Sequence, residues 1–462
     1  MPLTRRRQFL RATGGTLVAL TGLPTSLLAK LGRKMRITEI ETHEIVPPFH
    51  DHNAEPLFRY HGLSLQARKI YIVKTEGGLE GYGESGRDWD ERRFDRYVGS
   101  NPFDWIAEDV NLPMNMAMYD LMGKYLDLPV WKLLGPQVRS WVPVAAWTVS
   151  QTPERMAEEV RDVSRRGYRW LKYHVDVLQN VVDQTAAMQK VAPRGFKVHY
   201  DFNEDSNFEA VYPVLRELER FPIAGRIEDP IRNVDHEGYR LLRRKLSIPI
   251  LIHHGPHDLF MKEGLCDGFM AGHAAVGSAM SQAAMAESFN IPFMLQQVGG
   301  EINQAFLSHE AAVFKMATLD HVNLAHLWSD DVVRERTRVV GGSVRVPTGP
   351  GLGVTVDRKK LERLAREPRP KQTRFLVRVR YSPGPHIYFR YDPDLPGANL
   401  RFLNPPAFGR RNSGFGPDVP GPVPGYGNPV VSDFWDEAGS EEFEAMWKKT
   451  EAGPVWVEGS KR

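Results

Sequence analysis

Cysteine is almost absent from this sequence, because Cys266 is the only one among 462 residues. A single cysteine excludes an internal disulfide and any metal cluster built on cysteine ligands. An excess of charge of one sign is lacking as well, since 60 basic and 57 acidic residues leave a formal net charge of +3. With no basic patch interleaved with aromatic residues, the sequence gives no indication of nucleic-acid binding.

A long apolar run is missing too, and this limits what the N-terminus can be. Arg5 and Arg6 open a twin-arginine pattern, and the apolar residues 13–29 follow it. That run is too short and too rich in small residues for a typical membrane-spanning helix. Residues 1–34 are therefore predicted to be a twin-arginine signal segment. The expected location is the periplasm, or the membrane if the segment is retained.

The chain is too long for one ordinary hydrophobic core, so more than one domain is expected. Strand-like runs in residues 35–140 alternate with helical spacing, which predicts a mixed α+β domain with one helix over residues 115–134. Residues 141–357 repeat strand and helix patterns and predict a barrel. Residues 358–462 predict a charged linker, a hairpin, a Gly/Pro-rich tail that wraps the surface and one short helix over 433–449.

A polar segment, residues 47–62, separates the first two predicted strands of the α+β domain. It contains His50 and His52, among other histidines. The composition predicts a loop. This loop is either simply solvated or a lid whose histidines contact a substrate.

Titratable residues recur at the ends of short, apolar, β-branched runs in the middle of the chain. Lys172 and His174 end the first run, Asp201 the second, Glu228 the third and His254 the fourth. The spacings are 27 residues from His174 to Asp201, 27 from Asp201 to Glu228 and 26 from Glu228 to His254. One strand–helix unit of a TIM barrel is about that long, and such barrels carry their chemistry at the carboxyl ends of the strands. The spacing predicts an α/β fold of this type.

Asp201 and Glu228 are one repeat apart, so they are expected to project into the same barrel mouth. Two converging carboxylates repel each other unless a cation or a proton lies between them. Hard oxygen ligands favour Mg²⁺ or Mn²⁺. The alternative is that Glu228 and its neighbour Asp229 form structural salt bridges with Arg226, Arg232 or Lys172.

Several motifs in a fixed order resemble the enolase superfamily, most closely its mandelate racemase/muconate lactonizing enzyme branch. They are Lys172-Tyr173-His174, Asp201-Phe202-Asn203 and Glu228-Asp229-Pro230 on successive strands, then Gly349-Pro350-Gly351-Leu352-Gly353. The likeness covers residues 35–357. It implies a modified (β/α)7β barrel with an N-terminal capping domain. It also implies an enzyme, a divalent metal (Mg²⁺ by resemblance) and a homo-oligomer.

The resemblance also implies roles for individual residues. Asp201 and Glu228 match metal ligands, and the third ligand position falls on His254. Lys172 matches a lysine that contacts the substrate carboxylate, and His174 stands where a lysine is usually the base. Histidine can accept a proton at neutral pH, since its ordinary pKa is about 6.5. An imidazole ligand makes the metal site softer, so Mn²⁺, Fe²⁺ or Zn²⁺ can replace Mg²⁺.

Other family positions are changed in this sequence. Gly272 stands where strand six usually has Asp, and Gln296 where strand seven is followed by His. A slip of one residue leaves His253 and Gln297 open as alternatives. The expected substrate contacts are Asn203, His273, Gln296, His50 and His52.

Racemisation needs acid/base groups on both faces of the α-carbon, and the usual second group is missing here. This favours dehydration or isomerisation of a hydroxy- or sugar acid. The expected partner is a small carboxylate substrate. Two other functions stay open. One is a barrel that has lost catalysis and binds a ligand or a partner, and the other is a glycoside hydrolase that uses Glu228 as its acid and Asp201 as its second carboxylate.

Overall fold

The computed structural model describes residues 34–86, 91, 93–176, 178–204, 206–370, 373–381, 385–390 and 430–458. The predicted signal segment, apart from its last residue, and most of the predicted Gly/Pro-rich tail lie outside the described residues. No helix among the described residues is long and apolar enough to cross a membrane.

The N-terminal domain is a three-stranded antiparallel sheet with helices packed against it. Its elements are β1 (Ile37–Ile45), α1 (Asp51–Gln66), β2 (Arg68–Thr75), β3 (Glu80–Gly86), α2 (Leu112–Leu126) and α3 (Trp131–Leu134). The α2 backbone lies very close to β3, because a Cβ placed on Gly81 would be 2.1 Å from the carbonyl oxygen of Ala117. Glycine is therefore required where the two elements touch.

Two predictions for this domain were wrong. Residues 47–62, predicted as a loop, lie mostly in α1, which contains Pro56 and kinks at Gly62 with φ 52° and ψ −141°. Proline and glycine indicate a loop in isolation, but here burial of one helix face outweighs both. The helix predicted over residues 115–134 is split into α2 and α3, because Asp127 ends α2 in the left-handed conformation with φ 60°.

A closed ring of eight parallel strands is formed within the described residues. The strands are β4 (Trp141–Val149), β5 (Trp170–His174), β6 (Lys197–Asp201), β7 (Ala224–Glu228), β8 (Ile250–Ile252), β9 (Gly268–Gly272), β10 (Phe293–Gln296) and β11 (His321–Val322). They follow chain order, and β11 pairs with β4. The connecting helices are α4 (Pro153–Arg165), α5 (Val181–Val191), α6 (Phe208–Leu218), α7 (His236–Lys245), α8 (His257–Lys262), α9 (Val276–Phe289) and α10 (Glu301–Val313). The predicted (β/α)7β barrel with an N-terminal α+β domain is confirmed.

The register of the barrel strands brings ionisable residues to one level. His174 pairs with Asp201, and Asp201 pairs with Glu228. One layer deeper, Lys172 pairs with His199. Because side chains alternate along a strand, all five point to the same side of the sheet. The carboxyl end of the barrel therefore carries a cluster of charged groups.

Further elements follow the barrel along the chain. They are β12 (Val339–Val340), β13 (Ser343–Arg345), α11 (Arg358–Arg366), β14 (Leu376–Tyr381), β15 (His386–Arg390), β16 (Val430–Trp435), α12 (Glu441–Lys449) and β17 (Val455–Val457). β14 to β17 form one antiparallel sheet in the order β16-β14-β15-β17, called the C-terminal sheet below. β14 and β15 are the predicted hairpin. The linker prediction from residue 358 was wrong, because Leu361 and Leu364 are buried and hold α11 in place. Residues 433–449 begin in a strand before they become a helix.

A buried ion cluster joins the N-terminal domain to the segment after the barrel. Arg68 is fully buried and pairs with Glu84 and with Asp331, the latter at 3.0 Å. Its guanidinium also lies 4.3 Å from the ring centroid of Trp328. Removing one member of such a cluster leaves uncompensated charge in the interior.

The Arg68→Ala variant is therefore expected to lose about 3–5 kcal/mol of unfolding free energy, since two carboxylates stay buried without their cation. The matched control is Arg36→Ala, because Arg36 pairs with Glu76 on the surface, and it should change stability by less than about 1 kcal/mol. Urea denaturation of both variants measures the difference. Equal losses would contradict the role given to the cluster.

Candidate active site

Lys172 lies between the two predicted carboxylates at the barrel mouth. Its Nζ is 3.0 Å from Asp201 Oδ2 and 2.7 Å from Glu228 Oε2, and it also donates a hydrogen bond to Gln296. All three ionisable side chains are at most 1% exposed. The carboxylates therefore converge on one point of positive charge, beneath the surface of the mouth.

The opposite charges of this cluster stabilise one another and so outweigh burial, which alone would favour the neutral forms. Burial alone would lower the pKa of Lys172, but Asp201 and Glu228 raise it above its usual value. Burial and the charge of Asp201 act to raise the pKa of Glu228. Lys172 and hydrogen bonds from His199 and His253 outweigh both effects, so this pKa lies below its usual range. Lys172 is therefore a cation and Glu228 an anion at neutral pH.

His174 lies at the end of β5, beside the cavity described below. Its Nε2 is 3.1 Å from Asp201 Oδ2. The ring stands edge-on to Trp147, with centroids 4.9 Å apart and an interplanar angle of 82°. When a neutral imidazole donates from Nε2 to a carboxylate, its basic lone pair is on Nδ1. In this orientation of the His174 ring, Nδ1 is the potential proton acceptor.

His253, rather than the predicted His254, approaches the carboxylate cluster. His253 Nδ1 is 3.2 Å from Glu228 Oε1, whereas His254 Nδ1 is 2.7 Å from Asp229 Oδ2. Inside β8, Leu251 packs in the barrel interior, and alternation gives His253 the same direction. Asp229 also accepts hydrogen bonds from the backbone N–H groups of both histidines and so fixes the turn after β8.

The neighbouring strand leaves room for this histidine. A Cβ placed on Gly272 would lie 2.1 Å from His253 Nε2. The glycine that ends β9, the sixth barrel strand, stands where an acidic residue is usual and therefore makes space for the imidazole ring that follows β8.

Asp229, His253 and His254 offer donor atoms within 4.8 Å of one another. Burial lowers the pKa of His254, but its hydrogen bond to Asp229 raises the net value above normal, which disfavours the neutral form that a metal requires.

A cavity of about 840 Å³ opens above the cluster. Most of the predicted site residues line it, namely His174, Asp201, Asn203, His254, His273 and Gln296. Lys172 and Glu228 lie buried beneath it. Part of the lining comes from the N-terminal domain: His61, Ser64 and Leu65 of α1, with Glu84 and Ser85 of β3. The two domains therefore enclose the site together.

His50 and His52, predicted as substrate contacts, lie outside this lining. They are at the start of α1, and the Nε2 of His52 is 3.1 Å from Glu159 on α4. Because residues 51–66 are helical, the histidine that reaches the cavity is His61, more than two turns further along. His61 lies in the same predicted loop, and nothing in the local sequence distinguishes it from the other histidines there. The helix and its kink at Gly62 bring it to the cavity.

This chain is similar to one family model, to several curated proteins and to solved structures. A family model described as Enolase C-terminal domain-like matches residues 155–360. The D-gluconate dehydratase of Thermoproteus tenax is 27% identical over 281 residues, which cover 55% of this chain and 56% of the relative. A D-galactonate dehydratase of Xanthomonas euvesicatoria pv. vesicatoria is 28% identical over 281 residues, which cover 55% of this chain and 73% of the relative.

Among solved structures, the fold is similar to that of a mandelate racemase/muconate lactonizing family protein from Azoarcus sp. EbN1. The TM-score is 0.59 at 20% sequence identity, and the match covers 72% of this chain and 98% of the other. The chain thus spans nearly all of that structure, but only about half the length of the gluconate dehydratase.

Proposed function

We propose that the chain is a metal-dependent sugar-acid dehydratase of the enolase superfamily, in its mandelate racemase/muconate lactonizing enzyme branch. The reaction removes the proton α to a carboxylate and eliminates the β-hydroxyl as water. The one observation that carries this proposal is the convergence of His174, Asp201 and Glu228 at a cavity large enough for a six-carbon acid. The dehydratases among its relatives support the same chemistry.

The two carboxylates and the imidazole beside them are the kinds of donor that bind a divalent metal ion. Asp201 and Glu228 already share the positive charge of Lys172, and His253 adds a nitrogen donor beside Glu228. Asp201, Glu228 and His253 would hold the ion, which when bound would stabilise the negative charge that develops on the substrate carboxylate. His254 stays bonded to Asp229 in this arrangement. With an imidazole as the third donor, Mn²⁺, Fe²⁺ and Zn²⁺ compete more effectively with Mg²⁺.

His174 is the proposed base. It borders the cavity, and the contact of its Nε2 with Asp201 Oδ2 at 3.1 Å orients the ring. Lys172 has no exposed surface, so it is proposed to act as a positioning residue that holds the two carboxylates in place. Asn203 and Gln296 line the cavity with amide groups suited to the hydroxyls of a sugar acid.

A glycoside hydrolase needs a protonated carboxylic acid as its proton donor. The pKa of Glu228 lies below its usual range. Burial and the charge of Asp201 act to raise this pKa, but Lys172, His199 and His253 lower it by more. Glu228 is therefore ionised at neutral pH and cannot fill this role. The charge distribution favours proton abstraction next to a carboxylate.

The proposed activity is tested by incubating the protein with a panel of five- and six-carbon aldonic acids and with each of Mg²⁺, Mn²⁺, Fe²⁺ and Zn²⁺. We expect formation of a 2-keto-3-deoxy acid from at least one of them, lost when a chelator is added. Product that forms equally well with chelator would overturn the metal-dependent mechanism. Conversion of no acid by folded, metal-loaded protein would support a barrel that only binds its ligand.

Metal retention is expected to depend on Asp201. The Asp201→Asn variant keeps the shape of the side chain but removes one of two negative charges, so its affinity for Mn²⁺ should fall at least about tenfold. Asp183→Asn is the matched control, because Asp183 lies exposed on α5. Elemental analysis and Mn²⁺ titration of both variants measure the effect. Equal retention would remove Asp201 from the proposed site.

A further inference from the structure

His61 brings a second imidazole close to the proposed base. It lines the same cavity, and its ring centroid is 6.5 Å from that of His174. Both rings pack against one indole, since the centroid of Trp147 lies 5.9 Å from His61 and 4.9 Å from His174. Two titratable rings therefore border the cavity side by side, one from the barrel and one from the N-terminal domain.

Elimination of a hydroxyl group needs a proton donor for the leaving oxygen. The barrel positions where an acid/base group is usual hold Gly272 and Gln296, which transfer no proton. Glu84, also in the lining, is occupied by Arg68 and by the backbone N–H of Gly300. Proton transfer to the substrate is therefore left to the histidines of the cavity.

Four other histidines in the lining are placed less suitably. His253 and His254 are turned toward carboxylates, and His257 Nε2 lies 2.9 Å from a backbone carbonyl oxygen. His273 is on the exposed rim. His61 is the one that lies next to the base His174.

The C-terminal sheet holds the part of α1 that carries His61. Arg59 forms an ion pair with Asp436, and its guanidinium lies 5.0 Å from the ring centroid of Phe434. Tyr60 packs edge-on against the same phenylalanine, with centroids 6.1 Å apart. Gly62 then turns the chain with a positive φ of 52°. The two residues before His61 therefore contact this sheet, and the helix kinks at the residue after it.

We propose that His61 donates the proton to the departing β-hydroxyl and that the C-terminal sheet positions it for this step. The inference rests on the proposed function and adds a second catalytic residue to it. It also gives the sequence beyond the barrel a role, because the sheet orients a catalytic group.

The proton balance of the step is complete within the two histidines. Neutral His174 takes the α-proton, and the electron pair of that C–H bond passes to the substrate as an enolate. The enolate then expels the β-hydroxyl, the C–O electron pair leaves with the oxygen, and protonated His61 supplies the proton that makes it water. The enol product becomes the 2-keto-3-deoxy acid, and solvent restores the protonation of both rings.

The position of the two rings has a stereochemical consequence. Because His61 and His174 pack against the same indole, this proposal has the proton and the hydroxyl leave from the same side of the substrate. We therefore expect syn elimination, so acids that present the α-hydrogen and β-hydroxyl together on one face should react.

The test separates proton abstraction from elimination in the full chain loaded with Mn²⁺. In ²H₂O, the His61→Asn variant should exchange the α-proton of the reacting acid within about threefold of wild type, while its dehydration rate falls at least about a hundredfold. His43→Asn is the matched control, since His43 lies in β1 and contacts Glu41 at 3.5 Å; it should change neither rate. His273→Asn tests the competing histidine: if this variant keeps α-proton exchange but loses dehydration while His61→Asn does not, the proton donor is His273.

The outcomes distinguish this inference from the proposed function. A wild-type protein that neither exchanges nor dehydrates any acid overturns both. If wild type reacts and His61→Asn dehydrates equally well, or if His273→Asn alone loses dehydration, only the inference fails. Equal loss of exchange and dehydration in His61→Asn also overturns it, because a general disturbance of the site would then explain the result.

The positioning role of the C-terminal sheet has its own readout. Arg59→Ala removes the ion pair and the stacking that hold α1, so dehydration should fall about tenfold to a hundredfold while α-proton exchange is kept. Arg36→Ala, remote from α1, should leave the ratio of the two rates unchanged. An unchanged ratio in Arg59→Ala as well would contradict the clamp.

Discussion

Replacing His174 by Asn is expected to abolish most α-proton exchange, with a loss of about 10²–10⁴-fold. The expected size follows from the role of a general base, whose removal leaves the bound acid without a proton acceptor. Asp201 and Glu228 remain in place, so metal content should be unchanged. Exchange is measured by ¹H NMR in ²H₂O, and metal content by elemental analysis.

The matched control for this variant is His236→Asn. His236 begins α7 on the outside of the barrel, with Nδ1 3.7 Å from Glu263, and its replacement should leave exchange unaltered. A His174→Asn variant that retains metal and exchanges at the rate of the control would assign proton abstraction to another residue. His61 would then become the candidate base, since it borders the same indole.

Glu228→Gln is expected to destabilise the protein by about 3–5 kcal/mol in the presence of chelator, because the buried Lys172 then keeps only one anionic partner. The variant should also lose metal binding and dehydration. Glu237→Gln serves as the control, since Glu237 lies exposed on α7 and pairs with Arg240; a change of less than about 1 kcal/mol is expected there.

A double variant shows whether the loss comes from this pair of charges. Glu228→Gln combined with Lys172→Met removes both the anion and the cation. The double variant should therefore lose less unfolding free energy than the two single variants lose together. Urea denaturation of the four proteins gives the coupling energy. Strict additivity would show that Lys172 and Glu228 do not stabilise each other, against the contacts of 2.7 and 2.9 Å between them.

The barrel and the convergence of its strand ends follow from the sequence because two simple rules are enough. Apolar β-branched runs mark the strands, and their regular spacing gives parallel neighbours whose carboxyl ends meet. His174, Asp201 and Glu228 are therefore placed from their spacing alone, and the structure pairs them across β5, β6 and β7. These strands need no information from distant parts of the chain.

The third donor could not be placed in the same way. β8 is only three residues long, so alternation does not decide between His253 and His254 without knowing where the strand ends. The turn is set by Asp229, which accepts hydrogen bonds from both backbone N–H groups. That contact joins two strands and has no local signal in the sequence.

The prediction of a loop over residues 47–62, part of which lines the cavity, was wrong for a related reason. Pro56 and Gly62 indicate a loop when only local preferences are counted, and a loop made His50 and His52 the expected substrate contacts. In the structure α1 forms because its buried face packs on the barrel and on the C-terminal sheet. The sheet is made of strands hundreds of residues away, so His61 could be identified only from the folded chain.

The most direct test of the account is solvent deuterium incorporation at the α-carbon of aldonic acids, followed by NMR with the full chain loaded with Mn²⁺. The account predicts incorporation into at least one acid by the wild-type protein, its loss on chelation and its loss in His174→Asn. Absence of incorporation from every acid, with a folded protein that has bound its metal, would contradict the claim that these barrel strands carry an enolate-forming site.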